Sequence, residues 1–264
     1  MLKNVLTKTL RDKRKAFLWW GLGVTFMVIW YTMMFTAIEG DISGINQMME
    51  SDFVKALLGG TYDLSTPEGW LGAELLPLLG PLIFIVFTVS FSTSSLTGEE
   101  ETGSLDLLLS NPITRNSVYI QKFLAMILGM ITLGVIFWLG TVIGTSAANM
   151  ALSFLSLAEV TTSLILLGII FGTFALALGG LTGKRGISTG VASAVGIVSY
   201  LLNSMAEIVG GLEKFRPVSI FHYYGGGEVL RNGLEIGNVA IMLAGIVVLL
   251  AIGMYGFQRR DVGT

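Results

Sequence analysis

Six long apolar runs dominate this chain, and each is long enough to cross a lipid bilayer. They are Ala16–Ile38, Leu75–Leu96, Phe123–Ala147, Thr161–Leu181, Ile187–Val209 and Val239–Phe257. About 20 apolar residues span the hydrocarbon core as a helix, and a helix pairs its own backbone polar groups where no water can. The sequence therefore predicts an all-α integral membrane protein, residues 1–264 forming one domain of six transmembrane helices. Composition agrees. The chain is 53% hydrophobic and 13% charged, where a soluble domain carries about 25% charged residues. The first run is too long for a signal peptide, and no small-residue cleavage site follows it.

An even number of spans puts both termini on one side, and the basic residues choose that side. Twelve of the sixteen lysines and arginines fall in the N-terminal segment, the second-to-third and fourth-to-fifth connections, and the tail. The opposite face has only Lys55, Lys214, Arg216 and Arg231. The positive-inside rule places both termini in the cytoplasm, as expected for a multi-pass protein of the cell (plasma) membrane.

Between the spans, three segments have character of their own. Leu2, Val5, Leu6, Thr9 and Leu10 lie at helical spacing opposite lysines and arginines, so residues 1–15 are expected to form an amphipathic elbow helix along the cytoplasmic interface, the alternative being a short soluble extension of the first span. Residues 39–74 form an acidic outer loop in which Ile45, Met48, Met49, Phe53, Val54, Leu57 and Leu58 suggest one or two short extracellular helices. Those helices are either a gate or a structural lid.

The third segment is "GEEETGSLDLLLSNPITR", Gly98–Arg115, on the cytoplasmic side. Thr102 can cap a helix, with acids near its positive end. Leu105, Leu108 and Leu109 share a face at i, i+3, i+4, Leu107 points elsewhere, and Pro112 ends the helix. Burying three leucines contributes roughly 4–8 kcal/mol. The face either docks into the groove of a soluble partner or lies on the bilayer and neighbouring spans.

This stretch resembles the signature that follows the second span in permease subunits of ATP-binding-cassette (ABC) transporters, in the type 2 permease (exporter) family. "LTKTLRDKRKAFLWWGLG" is similar to that family's elbow and first span, "FRPVSIFHYYGGGEVLRNG" to its loop before the last span, and "YGFQRRDVGT" to its ending. The resemblance implies two six-span subunits, this chain and a second copy or close relative, each docking a cytoplasmic ABC ATPase. The segment 98–115 would then be the coupling helix region, with Glu99, Glu100, Glu101, Gly103, Leu105, Leu108, Leu109 and Arg115 at the matching positions. ATP and magnesium would sit on the partner, with no cofactor in this chain. The cargo would be amphipathic or hydrophobic: a drug, antibiotic, peptide or lipid. Partners are the ATPase, the second permease and membrane lipid, not nucleic acid.

The residues themselves offer little covalent chemistry. With no cysteine and one histidine, His222, neither a cysteine- or histidine-cluster metal site nor a cysteine–histidine pair can be built. "ALALGGLTGKRGIS" imitates a phosphate-binding loop, but Leu178 stands where the first glycine belongs and Arg185 where the magnesium-holding hydroxyl belongs. Candidate substrate or gating residues are Glu207 and Asn203, four apart near the outer end of the fifth run, and Ser92 and Ser95 at the inner end of the second. Pro77 and Pro81 are expected to bend the second span, and Gly225–Gly227 to form a flexible break. The pairs Gly140/Gly144, Gly168/Gly172 and Gly186/Gly190 permit close helix approach, within the chain or between subunits. A gradient-driven secondary transporter is the main alternative; it requires a mid-membrane acid that the sequence does not clearly supply. An intramembrane enzyme is a second.

Overall fold

The computed structural model describes residues 4–38, 63–206, 209 and 211–261. Among them there is no strand, and six helices are long and apolar enough to cross a membrane. The outer-loop helices expected within 39–62 lie outside the described residues, and so does Glu207.

Helix α1 runs unbroken over Val5–Ile38. The elbow expected over residues 1–15 is not a separate element. No glycine or proline falls between Val5 and Trp20 to break the helix. The amphipathic stripe turns inward instead: Val5 and Thr9 are buried, and the Leu6 N–H donates to Gln121 Oε1 at 3.1 Å. At 1.5 Å per residue the 34 residues measure about 51 Å, so α1 outreaches a hydrocarbon core of about 30 Å.

The second span shows what two prolines do. A short helix, α2 (Pro67–Trp70), opens it, Leu71–Leu79 follows in π geometry, and α3 (Gly80–Ser95) completes it. Pro77 lies inside the π segment, and neither it nor Pro81 has an N–H to donate. Wider i→i+5 bonds take over, as from Gly80 N–H to the Leu75 carbonyl. The next such bond, onto Leu76, would need an N–H at Pro81. The Tyr224 hydroxyl supplies the missing donor, 2.8 Å from the Leu76 carbonyl.

After α4 (Thr97–Glu101) and α5 (Ser104–Leu109) the chain crosses again as α6 (Arg115–Ala147), α7 (Phe154–Thr182) and α8 (Arg185–Ala206). A 3₁₀ turn (Glu213–Val218), α9 (Ile220–Tyr224) and α10 (Gly226–Asn232) precede the last span, α11 (Ile236–Arg259). Helix α7 is the hub, packing on α3, α6, α8 and α11. A Cβ on Gly172 would lie 2.5 Å from Met126 Sδ and 2.8 Å from Thr88 Cβ, so only glycine admits this crossing. The glycine pairs divide accordingly. Gly140 and Gly144 meet α1, Gly168 and Gly172 meet α3 and α6, and Gly186 and Gly190 face open space.

Helices α9 and α10 are pinned into the bundle rather than laid on its rim. Ser219 caps α9, accepting from the Phe221 N–H, and its hydroxyl donates to the Ser199 carbonyl at 2.6 Å. The Tyr224 carbonyl accepts from Ser163 Oγ at 2.7 Å. Phe221 and Tyr224 are buried. Gly225, at φ +71°, ends α9 and starts α10, while Gly226 and Gly227 are buried in α10. Gly225 and Gly226 therefore form an ordered left-handed corner, with Gly227 continuing as helix, rather than a flexible break.

Candidate functional site

Basic segments that are far apart in sequence meet at one end of the bundle. Lys8 of α1 lies 3.5 Å from Glu99, and Arg260, just past α11, forms a two-pronged ion pair with Glu100 at 2.6 and 2.7 Å. Arg260 Nε also donates to the Gly180 carbonyl of α7, and Arg185 Nη1 comes near Gly98. All these contacts converge on the segment after the second span.

That segment is two short helices rather than one. At Leu96 (φ −106°, ψ −71°) the helix of the span breaks into α4. Thr102 ends α4, its hydroxyl donating back to the Gly98 carbonyl at 3.1 Å. It does not start the next helix, as the sequence suggested. That role falls to Gly103, whose φ of +68° is the left-handed conformation glycine takes without strain. The chain reverses there into α5, and Thr114 caps α6, accepting from the Ser117 N–H.

The three glutamates have three fates. Lys122, fully buried about two turns into α6, donates to Glu99 Oε2 at 2.7 Å and to the Ser95 carbonyl. Glu100 holds Arg260. Glu101 is exposed and has no partner among the described residues. Arg115 does not face outward. Its Nη1 donates to the Phe257, Gln258 and Arg260 carbonyls, supplying donors and positive charge where α11 ends. Lys8, Lys122 and Arg260 are partners that sequence reasoning counted only as topology signals. The available clue was Lys122, a cation set directly against the start of the third apolar run.

The leucine face is also turned inward. Leu105 is fully buried in the core, while Leu108 and Leu109 are partly buried against it. The stripe closes the end of its own bundle, which is the ordinary use of an apolar helix face. What α4 and α5 present to solvent is Leu107, 73% exposed, flanked by Asp106 and Glu101. Leu107 is the residue that the i, i+3, i+4 rule set aside.

One protein family's profile, described as ABC-2 family transporter protein, matches residues 3–262. This chain belongs to the ABC-2 transporter family. No individual curated protein matches it at a significant level. It is accordingly a multi-pass transporter permease of that family, with six apolar helices to cross the membrane.

The gating candidates of this ABC-2 family chain are dispersed. Ser92 and Ser95 are buried: Ser92 Oγ lies 3.0 Å from Met126 Sδ, and Ser95 Oγ donates to the Ser92 carbonyl at 3.1 Å. Asn203 Oδ1 accepts from Arg216 Nε at 3.3 Å, stapling α8 to the 3₁₀ turn. An open groove of about 370 Å³ runs between α3 and α8, lined by Leu82, Val86, Val89, Ile197, Tyr200 and Phe221 and by the polar Ser90, Thr93, Thr189, Ser193 and Arg185. A volume above about 300 Å³ is enough for a small ligand.

Proposed function

We propose that this chain is the membrane-spanning half of an ATP-driven exporter, with the exposed surface of α4 and α5 serving as the seat of a separate cytoplasmic ATPase. The observation that carries this reading is the wiring of the α4–α5 segment. Glu99 ties it to α6 and α1, and Glu100 ties it to the end of α11. A push on Leu107 is therefore delivered to three spans through charged contacts that are costly to break. Both termini and these segments would be cytoplasmic, in a plasma membrane. ATP and magnesium would belong to the ATPase, two copies of which would serve this chain and a second permease subunit.

Cargo would pass along the groove between α3 and α8. Its apolar walls and scattered hydroxyls suit an amphipathic molecule. The outward-facing Gly186 and Gly190 sit beside this groove and suit close approach of the second subunit. The test is co-purification from native membranes in mild detergent. A soluble ATP-binding subunit should come down with the native protein and be depleted by Leu107→Asp. Equal recovery with both would remove the docking surface from the account.

A further inference from the structure

The groove between α3 and α8 has one charged lining residue, Arg185, at the end where α8 begins. Its guanidinium is exposed and has no acidic partner among the described residues. Lys13 reaches the same end of α3 from the other side, its Nζ donating to the neutral Ser94 Oγ at 2.6 Å, and it repels Arg185. Lys13 feels the charges of Glu99, Arg185 and Asp12, and Lys122 those of Glu99, Lys8 and Lys13, so that these four cations share two carboxylates, Asp12 and Glu99. Glu99 is engaged by Lys122 at 2.7 Å and Lys8 at 3.5 Å, and Asp12 lies 4.0 Å from Lys8. The excess positive charge falls where Arg185 meets apolar walls, and low-dielectric walls focus such a field.

We propose that this groove takes a single-chain amphiphile with an anionic head, a carboxylate or phosphate, held by Arg185, its tail lying toward Tyr200 and Phe221. The planar guanidinium can grip either head with two parallel hydrogen bonds. The Ser90 and Thr189 hydroxyls, about one turn from Thr93 and Arg185, stand ready to add donors. This assignment rests on the groove being the cargo path, and it names the class of cargo.

The experiment uses the full chain in mild detergent and three fluorescent undecyl probes that differ only in the head: carboxylate, alcohol and ammonium. The native protein should bind the carboxylate about tenfold or more tighter than the alcohol. Arg185→Gln should level the two, and Arg185→Glu should reverse the order in favour of the ammonium. Ser193→Phe, which puts a ring into the groove at an exposed position, should weaken all three; gel filtration checks that each variant is folded. Equal binding of the three heads by the native protein, or selectivity that survives Arg185→Gln, would overturn the proposal. Displacement of the carboxylate probe by an equal concentration of phosphatidylglycerol would assign the site to bilayer lipid and overturn the single-chain claim. Export assays separate this idea from the path beneath it. If Ser193→Phe stops export while the Arg185 variants change neither binding nor export, the path stands and the anionic head falls. If the probes behave as stated while Ser193→Phe leaves export intact, the anion site stands and the path falls.

Discussion

Removing Glu99 should cost this protein more than removing Lys122, although the two share one ion pair. The pair spans 2.7 Å, and its lysine side chain is fully buried while its glutamate is 16% exposed. Glu99→Leu strands the ammonium group with only the Ser95 carbonyl for a partner. Uncompensated buried charge of this kind costs about 3–5 kcal/mol. Lys122→Met leaves Glu99 near Lys8 and partly in water, a loss of about 1–3 kcal/mol. Combining the two removes both charges, and an apolar pair of similar volume should restore stability to within about 1 kcal/mol of native. The assay is a double-mutant cycle on the purified protein, unfolded by denaturing detergent in mixed micelles. The coupling should be at least about 2 kcal/mol, with Glu99→Leu the worse single change. Additivity within about 0.5 kcal/mol, or the opposite ranking, would refute the claim that Glu99 is the buried anchor of the α4–α5 segment.

Three further outcomes follow from the same geometry. Leu107→Asp should leave thermal stability within about 0.5 kcal/mol of native, as for other exposed positions, whereas Leu105→Ala, at a fully buried site, should cost about 2–5 kcal/mol; melting in detergent separates them. Gly172→Leu should prevent α7 from seating against Thr88 and Met126 and abolish monodisperse protein in gel filtration, whereas Gly190→Leu, facing open space, should leave the single chain folded. Tyr224→Phe removes the donor that Pro81 cannot supply to the Leu76 carbonyl, and it should destabilise the chain by about 1–3 kcal/mol, read as a lower melting temperature.

The membrane architecture was legible because it follows from length and hydropathy. Each of the six runs holds a membrane-length helix, the fifth as far as Ala206, and several are extended by residues that hydropathy alone leaves out, such as Arg115–Lys122 on α6. The break in the second span was visible in Pro77 and Pro81, but its π geometry was not, because it depends on which backbone groups find donors across the bundle. The leucine stripe of α5 was visible in the sequence, and of the two surfaces that could cover it, the protein's own bundle does so for Leu105. Periodicity shows that Leu105, Leu108 and Leu109 share a face, but cannot say whether the protein's own bundle or a partner covers it. The elbow failed for a related reason: the stripe of Val5 and Thr9 has the same pattern whether it faces lipid or α6. Ion pairs such as Glu100–Arg260 join residues 160 positions apart, and a single sequence carries no signal for them.

The central claim is that the surface carrying Leu107 seats an ATPase. Its most direct test is photo-crosslinking in native membranes, with a benzophenone side chain at position 107 and, in parallel, at the buried position 105. The account predicts a covalent adduct to an ATP-binding subunit from position 107 and none from position 105. No such adduct from position 107, or the same adduct from both positions, would contradict it.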